Sequence, residues 1–192
     1  MKLFTSDLHF HHKNIVKFTN RGKETTQEEH DEWLINLWNA EVAKGDLVYH
    51  LGDFSFAKKY EDIATLIEKL NGQKIFIKGN HDRPEHLTQL VKDGLIVSWD
   101  HYKEIKIQDT KVCLFHFPIS SWNGQGRGSW HLHGHSHGNH TESKGKMLDV
   151  GLDEAYNIRE IHSFFREDEV CNVMSFRDSF IADHHRDSRA DL

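Results

Sequence analysis

Short, mainly apolar segments, each followed at once by polar residues, recur along this chain and predict buried β-strands. Five of them dominate the pattern, at residues 2–6, 47–51, 75–78, 111–115 and 130–133. Short apolar runs between turn signals are typical of strands that are covered on both faces. Each of the five ends next to a cluster of Asp, Asn or His, so the polar groups are expected at the carboxyl ends of the strands.

Segments with the periodicity of amphipathic helices lie between the first three predicted strands. Thr25 and Thr26 stand three residues before Glu28 and Glu29, which gives two overlapping capping-box candidates. Gly45 is expected to end the helix that follows. Other predicted helices cover residues 14–19, 60–70 and 84–93. Strands that alternate with helices predict parallel pairing, with the helices packed on the sheet.

After residue 95 the pattern changes to strands with short connections. Asp109 and Thr110 are expected to form a hairpin turn. The remaining elements are predicted as strands 96–99, 103–108, 147–150 and 170–175 and a helix at 159–165. The fold class is therefore α/β with two sheets, in one domain over residues 1–180. The polar residues 181–192 are expected to form a flexible tail.

The composition of the chain argues against some classes of function. The 192 residues include 24 Lys and Arg and 30 Asp and Glu, a formal charge of -6, which argues against indiscriminate binding to nucleic acid. A phosphorylated substrate remains compatible, because bound cations reverse the local charge of a carboxylate-rich site. No segment has the ~20 apolar residues that a membrane span needs, so a soluble, cytoplasmic protein without a membrane partner is expected. Cys113 lies in an apolar run and is expected to be a buried thiol.

Seven side chains that suit divalent metals follow the strands. They are Asp7, His9, Asp53, Asn80, His116, His135 and His137. Asp7 and His9 point to the same side of an extended segment because they are two residues apart. One ion cannot use seven side chains, whereas two ions that share Asp53 use four each. Two ions about 3.5–4 Å apart suit in-line displacement at phosphorus.

The order of these motifs resembles the calcineurin-like metallophosphoesterase superfamily. The pattern D-x-H, G-D, G-N-H-D, H and G-H-x-H runs from Asp7 to His137 in the order of that family. Segments 7–14, 49–54 and 131–138 further resemble small bacterial and phage members. His11 departs from those relatives, which often carry glycine there. The resemblance implies a two-sheet αββα sandwich with mixed strands and a metal-dependent phosphoesterase.

The resemblance also implies a role for each residue. Each ion has four expected ligands, which are Asp7, His9, Asp53 and His137 for one and Asp53, Asn80, His116 and His135 for the other. His81 is expected to stabilise the phosphoryl oxygens or to protonate the leaving group, and Asp82 to orient His81. The expected nucleophile is a water or hydroxide that bridges the ions. Manganese is the first choice of metal, and Fe, Zn, Ni and Co also fit nitrogen and oxygen ligands.

Several weaker signals have two interpretations. His12 and Arg127 are candidate substrate contacts, and the glycine-rich loop 123–129 around Arg127 is interpreted as a lid. Trp122 and Trp130 either stack on a base or anchor this loop in the core. His50 and other histidines inside strands are interpreted as structural, as is His133.

A hydrolase that cleaves phosphodiesters or phosphomonoesters, with a nucleotide or another small phosphorylated molecule as substrate, is the leading hypothesis. A DNA or RNA nuclease with the same chemistry is the alternative, although the chain lacks a basic extension rich in aromatic residues. A third hypothesis is a metal-binding interaction module that has lost catalysis, but no expected ligand is missing. Nothing in the sequence suggests the peptide groove of a protein phosphatase.

Overall fold

The computed structural model describes residues 1–19, 21, 26–140 and 144–180. Nine strands are found in this part of the chain: β1 Lys2–Thr5, β2 Leu47–His50, β3 Gln73–Ile77, β4 Ser98–Asp100, β5 Tyr102–Ile107, β6 Thr110–Phe115, β7 Trp130–His133, β8 Met147–Asp149 and β9 Phe165–Arg166. The same residues contain six helices: α1 Ile15–Phe18, α2 Gln27–Glu41, α3 Tyr60–Glu68, α4 Pro84–Lys92, α5 Leu152–Arg159 and α6 Glu167–Ser175. Thr25 and the predicted tail 181–192 lie outside the described residues.

The strands form two mixed sheets, which confirms the predicted α/β class with two sheets. The first sheet has the order β4-β3-β2-β1-β9, in which β9 alone is antiparallel to its neighbour. The second has the order β5-β6-β7-β8, in which β5 and β6 are antiparallel and the other pairs are parallel. Because β1, β2 and β3 are parallel, as are β6, β7 and β8, the carboxyl ends within each set lie at one edge of its sheet.

The hydrophobic core has two main layers. Helices α2, α3 and α4 cover one face of the first sheet, where Trp38, Leu66 and Leu90 are buried in the same cluster as Val48. The other face packs against the second sheet through residues such as Phe4, Ile77, Val112 and Leu132. On the far face of the second sheet, Cys113 and Met147 pack against Trp122. Cys113 is a buried free thiol, as predicted.

Local signals explain where the first helices begin and end. Thr26 and Glu29 form the predicted capping box at the start of α2, with both reciprocal hydrogen bonds present. The helix ends at Glu41 and not at Gly45, because Val42 is already extended and is buried in the core. The β5–β6 turn is also one residue earlier than predicted. Gln108 has a φ of 50° there, and Thr110 already belongs to β6.

Two predictions for the end of the chain are wrong. Residues 159–165 are not a helix, because Glu160 adopts a left-handed conformation with φ 58° and ends α5, and β9 follows. Residues 170–175 belong to α6 and not to a strand. Val170 and Met174 are four residues apart, so both side chains are buried on one face of that helix.

Among the described residues, no helix is long and apolar enough to cross a membrane.

Candidate metal centre

The predicted ligands meet where the carboxyl ends of the parallel strands lie. The loops after β1 and β2 continue side by side beyond the strands, with hydrogen bonds from Asp7 N to Gly52 O at 2.9 Å and from His9 N to Asp53 O at 3.1 Å. The loop after β7 is joined to the end of β6 by the bond from Gly134 N to His116 O at 2.9 Å. The predicted convergence of strand ends is therefore confirmed.

Asp7, His9 and His137 form the first cluster, named here the Asp7 group. Their candidate ligand atoms all lie within 4.8 Å of one another. Asp7 Oδ1 is 3.7 Å from His9 Nε2 and 3.9 Å from His137 Nε2, and the two Nε2 atoms are 3.2 Å apart. One carboxylate oxygen and two imidazole nitrogens thus face one point, which is a donor set that divalent transition metals accept.

Asp53, His116 and His135 form the second cluster, named here the Asp53 group, and their ligand atoms also lie within 4.8 Å of one another. His116 Nε2 is 3.5 Å from Asp53 Oδ2 and 3.0 Å from Asn80 Oδ1, so Asn80 belongs to the same cluster. All seven predicted ligands are therefore found in two adjacent groups.

Asp53 lies between the two groups. Its Oδ2 atom is 3.5 Å from His116 Nε2 in its own group and 4.0 Å from His9 Nε2 in the Asp7 group. Its Oδ1 atom accepts a hydrogen bond of 2.8 Å from His81 N, which fixes the plane of the carboxylate. One carboxylate oxygen thus faces a histidine nitrogen of each group.

Hydrogen bonds orient two of the histidine rings toward the centre. His116 Nδ1 donates to Leu51 O at 2.7 Å, and His137 Nδ1 donates to Asp153 Oδ2 at 2.6 Å. A ring that donates through Nδ1 keeps its lone pair on Nε2, so both Nε2 atoms are acceptors directed into the site. Ligand histidines in metal sites have this arrangement.

Asp7 shows that the site suits a cation. Its Oδ1 atom is buried and has no hydrogen-bond partner among the described residues, whereas Oδ2 accepts hydrogen bonds from Ser6 and His135 N. Burial raises the pKa of Asp7, but the neighbouring rings of His9, His116 and His137 lower it more, so the net pKa lies well below its ordinary value. A buried, ionised oxygen without a donor is costly unless a cation binds it.

Unusual backbone conformations are concentrated at this site. A positive φ is uncommon for residues other than glycine and costs about 1–3 kcal/mol each. Eight such residues occur in the described part of the chain, and six of them lie in the site loops. The six are Asp7, His9, His11, Asp53, His135 and His137, with φ between 48° and 67°. Five of the six, all except His11, are candidate ligands, and such clustering of strained residues is typical of functional sites.

Two glycines permit the close approach of the loops. A Cβ atom on Gly79 would lie 2.2 Å from Asp53 Oδ1, and a Cβ atom on Gly134 would lie 2.4 Å from Asp7 Oδ2. Any side chain at these positions would therefore displace a carboxylate of the site.

His11 adopts the left-handed conformation, with φ 61°, in the loop that follows β1. Its backbone N–H donates to both carboxylate oxygens of Asp31, at 3.0 and 3.1 Å, and its ring Nδ1 lies 3.0 Å from Ser55 Oγ. These contacts hold the first loop in shape.

His81 and His12 lie at the rim of the site. His81 Nε2 is 3.9 Å from Asp53 Oδ2, and its side chain is 45% exposed. Its ring and that of His12 contact the Phe56 ring, with centroid distances of 4.4 and 4.3 Å. Both histidines therefore lie on the solvent side of the two groups.

The predicted contact between Asp82 and His81 is wrong. Both oxygens of Asp82 accept backbone hydrogen bonds of 2.8–2.9 Å, which come from Asp53 N, Phe54 N and Gly79 N. Asp82 thus joins the loop after β2 to the loop after β3 and positions Asp53. It does not orient the His81 ring.

Arg127, which was predicted as a substrate contact, does not lie beside the two ligand groups. Arg127 lies in the loop that leads into β7, and it lines a cleft together with Asp109 and Lys111 from the β5–β6 turn. That turn lies at the opposite end of β6 from His116, so loop 123–129 is not a lid over the site. Trp122 and Trp130 are buried and anchor this loop in the core. His50 and His133 are buried inside strands and belong to neither group, as expected.

Sequence reasoning missed Arg21 and Asp153. Arg21 is fully buried and forms two bonds to the Asp153 carboxylate, at 2.9 Å through Nε and 2.7 Å through Nη2. The same guanidinium donates to the carbonyl oxygens of Asp7 and Leu8, and Asp153 in turn accepts from His137. Asp153 follows the predicted strand 147–150 closely, so the rule that strand ends carry the site could have identified it.

We expect Asp153→Asn to weaken metal binding at the Asp7 group by about 10- to 100-fold, because His137 loses the carboxylate that orients its ring. Titration of the metal-free protein with Mn²⁺ by calorimetry measures this change. Glu154→Gln is the matched control, since Glu154 is the next residue of α5 and does not bond to His137. Circular dichroism at the titration temperature shows that each variant is folded. Unchanged affinity in folded Asp153→Asn would contradict the role of Asp153.

Comparison with known proteins gives the family of the chain. The uncharacterized protein MJ1445 of Methanocaldococcus jannaschii is 37% identical over 155 residues, which cover 77% of this chain and 79% of that protein. The chain belongs to the MJ1445 family. The gene 66 protein of Mycobacterium phage L5 is 29% identical over 178 residues, covering 78% of this chain and 85% of the phage protein. No protein-family model matches the chain.

The fold is similar to that of a solved structure. The protein of unknown function AQ665 from Aquifex aeolicus superimposes with a TM-score of 0.66 over 90% of this chain and 98% of its own. Since its sequence identity is 20%, the likeness concerns the fold alone.

Proposed function

We propose that this protein is a phosphohydrolase that uses two divalent metal ions. The observation that carries the proposal is the position of Asp53 Oδ2, which is 3.5 Å from a nitrogen of one ligand group and 4.0 Å from a nitrogen of the other. A carboxylate shared in this way suits two neighbouring ions, and two such ions suit displacement at phosphorus.

The ordered motifs support the same proposal. They resemble the calcineurin-like metallophosphoesterases, for which the αββα sandwich is the expected fold and a two-ion centre the expected cofactor. The Asp7 group with Asp53 would hold one ion, and the Asp53 group with Asn80 would hold the other. Nitrogen and oxygen donors without thiolate suit Mn, Fe, Zn, Ni and Co. Manganese is the proposed metal, and the other four are the alternatives.

When bound, the ions would activate water for attack and neutralise charge on the phosphoryl group. The residues of the chain supply the remaining chemistry. His81 is the proposed donor of a hydrogen bond or a proton to the oxygen of the leaving group, and its exposure at the rim near Asp53 supports this role. His12, whose ring also contacts Phe56, is the proposed contact to the phosphoryl oxygens. The proposed substrate is a small phosphorylated molecule, with nucleotides as the first class, in the cytoplasm.

Turnover by the reconstituted protein tests the proposal. The protein is stripped with a chelator, reloaded with Mn²⁺ and assayed on p-nitrophenyl phosphate and bis-p-nitrophenyl phosphate. We expect activity on at least one ester to rise more than about a hundredfold over the stripped protein, because the charge of the ions stabilises the transition state by several kcal/mol. Arg127→Ala should keep full activity, since Arg127 lies at the opposite edge of the sheet.

Two other results would change the conclusion. Protein that binds two Mn²⁺ ions but hydrolyses neither ester, nor any of a panel of nucleotides, would identify a metal-binding module without catalysis. Salt-sensitive cleavage of DNA or RNA at low enzyme concentration, faster than cleavage of the small esters, would identify a nuclease.

A further inference from the structure

An open cleft of about 320 Å³ lies beside the Asp7 group. His137 and Asp153 line it, together with Lys17 and Phe18 from α1 and Asn157 from α5. Small-molecule sites in proteins have volumes of roughly 300–1,000 Å³, so the cleft is large enough for one compact ligand. Because His137 belongs both to the cleft and to the metal centre, a molecule in this cleft would extend directly from the reacting phosphoryl group.

Phe18 gives the cleft an aromatic surface. Its side chain is 75% exposed, which leaves the ring free to stack on a planar group. The Phe18 and His12 rings are nearly perpendicular, with centroids 6.4 Å apart, and the His12 and His81 rings both contact Phe56. Successive ring contacts therefore connect the cleft with the metal centre.

Two asparagines add polar groups. Asn139 Nδ2 donates to His137 O at 3.1 Å, and Asn157 Nδ2 donates to Gly138 O at 3.2 Å. Both side chains line the cleft, and these bonds hold their amides on the loop after β7. The amide oxygens can accept hydrogen bonds from the amino group of a base or from a sugar hydroxyl.

The charge of the cleft also suits an anionic ligand. The Asp153 carboxylate is paired with the buried guanidinium of Arg21 at 2.7 Å and hydrogen-bonded to His137, so its negative charge is compensated. Lys17 lines the same cleft and adds a positive charge. A molecule that carries a phosphate at one end would therefore not be repelled.

We propose that this cleft binds the nucleoside part of a mononucleotide, with the base stacked on Phe18 and the phosphoryl group at the metal centre. The proposal rests on the phosphohydrolase function and names the substrate class and the residues that select it. A flat aromatic group with polar edges fits both the exposed ring and the two amides, whereas a simple sugar phosphate would use only the polar groups.

Calorimetric binding of two non-hydrolysable ligands to the Mn²⁺-loaded protein tests the proposal. These are the phosphonate analogues of AMP and of ribose 5-phosphate, in which a methylene group replaces the ester oxygen. We expect the AMP analogue to bind about tenfold more tightly, because stacking of one base on an aromatic ring increases affinity by at least about this factor. Phe18→Ala should remove the difference without changing the affinity for the ribose analogue, and Phe18→Trp should restore it.

Phe176→Ala is the matched control, since Phe176 is also strongly exposed, at 84%, and does not line the cleft. Equal affinity of the native protein for the two analogues would overturn the proposal, as would Phe18→Ala with an unchanged preference for AMP. Hydrolysis of p-nitrophenyl phosphate, bis-p-nitrophenyl phosphate and the nucleotide panel by the same preparation tests the phosphohydrolase function separately. Turnover without a preference for AMP rejects the nucleoside cleft alone, and absent turnover on all of these substrates rejects the function itself.

Discussion

Asp53→Ala is expected to abolish binding of two ions and to reduce phosphoester turnover by at least about a thousandfold, because metal charge contributes several kcal/mol to stabilising the transition state. The physical reason is that Asp53 Oδ2 faces a histidine nitrogen in each ligand group, at 3.5 and 4.0 Å. No other carboxylate is shared by the Asp7 and Asp53 groups among the described residues. Elemental analysis after gel filtration gives the metal content, and the chromogenic esters give the turnover.

Asp53→Asn separates the role of the charge from that of the hydrogen bond. In the native protein, His81 N donates a hydrogen bond of 2.8 Å to Asp53 Oδ1. The amide oxygen of an asparagine at this position can still accept this bond. We therefore expect Asp53→Asn to fold like the native protein and to lose metal nearly as fully as the alanine variant. Two ions retained in either variant would show that Asp53 does not join the groups.

His81→Ala is expected to keep both ions and to lose about 10²- to 10⁴-fold in turnover, the usual contribution of a general acid. His81 Nε2 lies 3.9 Å from Asp53 Oδ2, but its ring is half exposed and belongs to neither ligand group. Metal content and turnover are measured as for Asp53.

The leaving group distinguishes proton donation by His81 from a merely structural role. A methyl phosphoester needs a proton on the departing alkoxide, whereas p-nitrophenolate leaves readily without one. The loss in His81→Ala should therefore be much larger for the methyl ester. An equal loss on both esters would assign His81 to binding of the phosphoryl oxygens, and full activity on both would remove it from the mechanism.

The candidate site was largely predictable because its ligands lie at the ends of strands. Strand Trp130–His133 has the predicted bounds, and its apolar pattern alone places His135 and His137 at the edge of the sheet. Parallel pairing of β1, β2 and β3 follows from the helices between them, so the convergence of Asp7, Asp53 and Asn80 was expected.

The pairing of residues far apart in the sequence and the secondary structure of short apolar runs were not predictable. Arg21 meets Asp153 across 132 positions of sequence, and neither residue belongs to a recognisable motif. The apolar residues of 170–175 fit a strand as well as a helix, because a run of this length does not distinguish the two periods. The role of Asp82 was misjudged for a related reason. Its partners are backbone N–H groups, which the sequence does not display.

The division of the ligands between the two sheets has a consequence for the stability of the protein. The Asp7 group combines Asp7 and His9, which follow β1, with His137, which follows β7, and the Asp53 group is divided in the same way. On the proposed function, each ion would cross-link the two halves of the sandwich at one end. Resistance to heat and to proteolysis would then rise with the free concentration of metal in the cell, so that supply of the cofactor regulates how long the protein survives as well as whether it works.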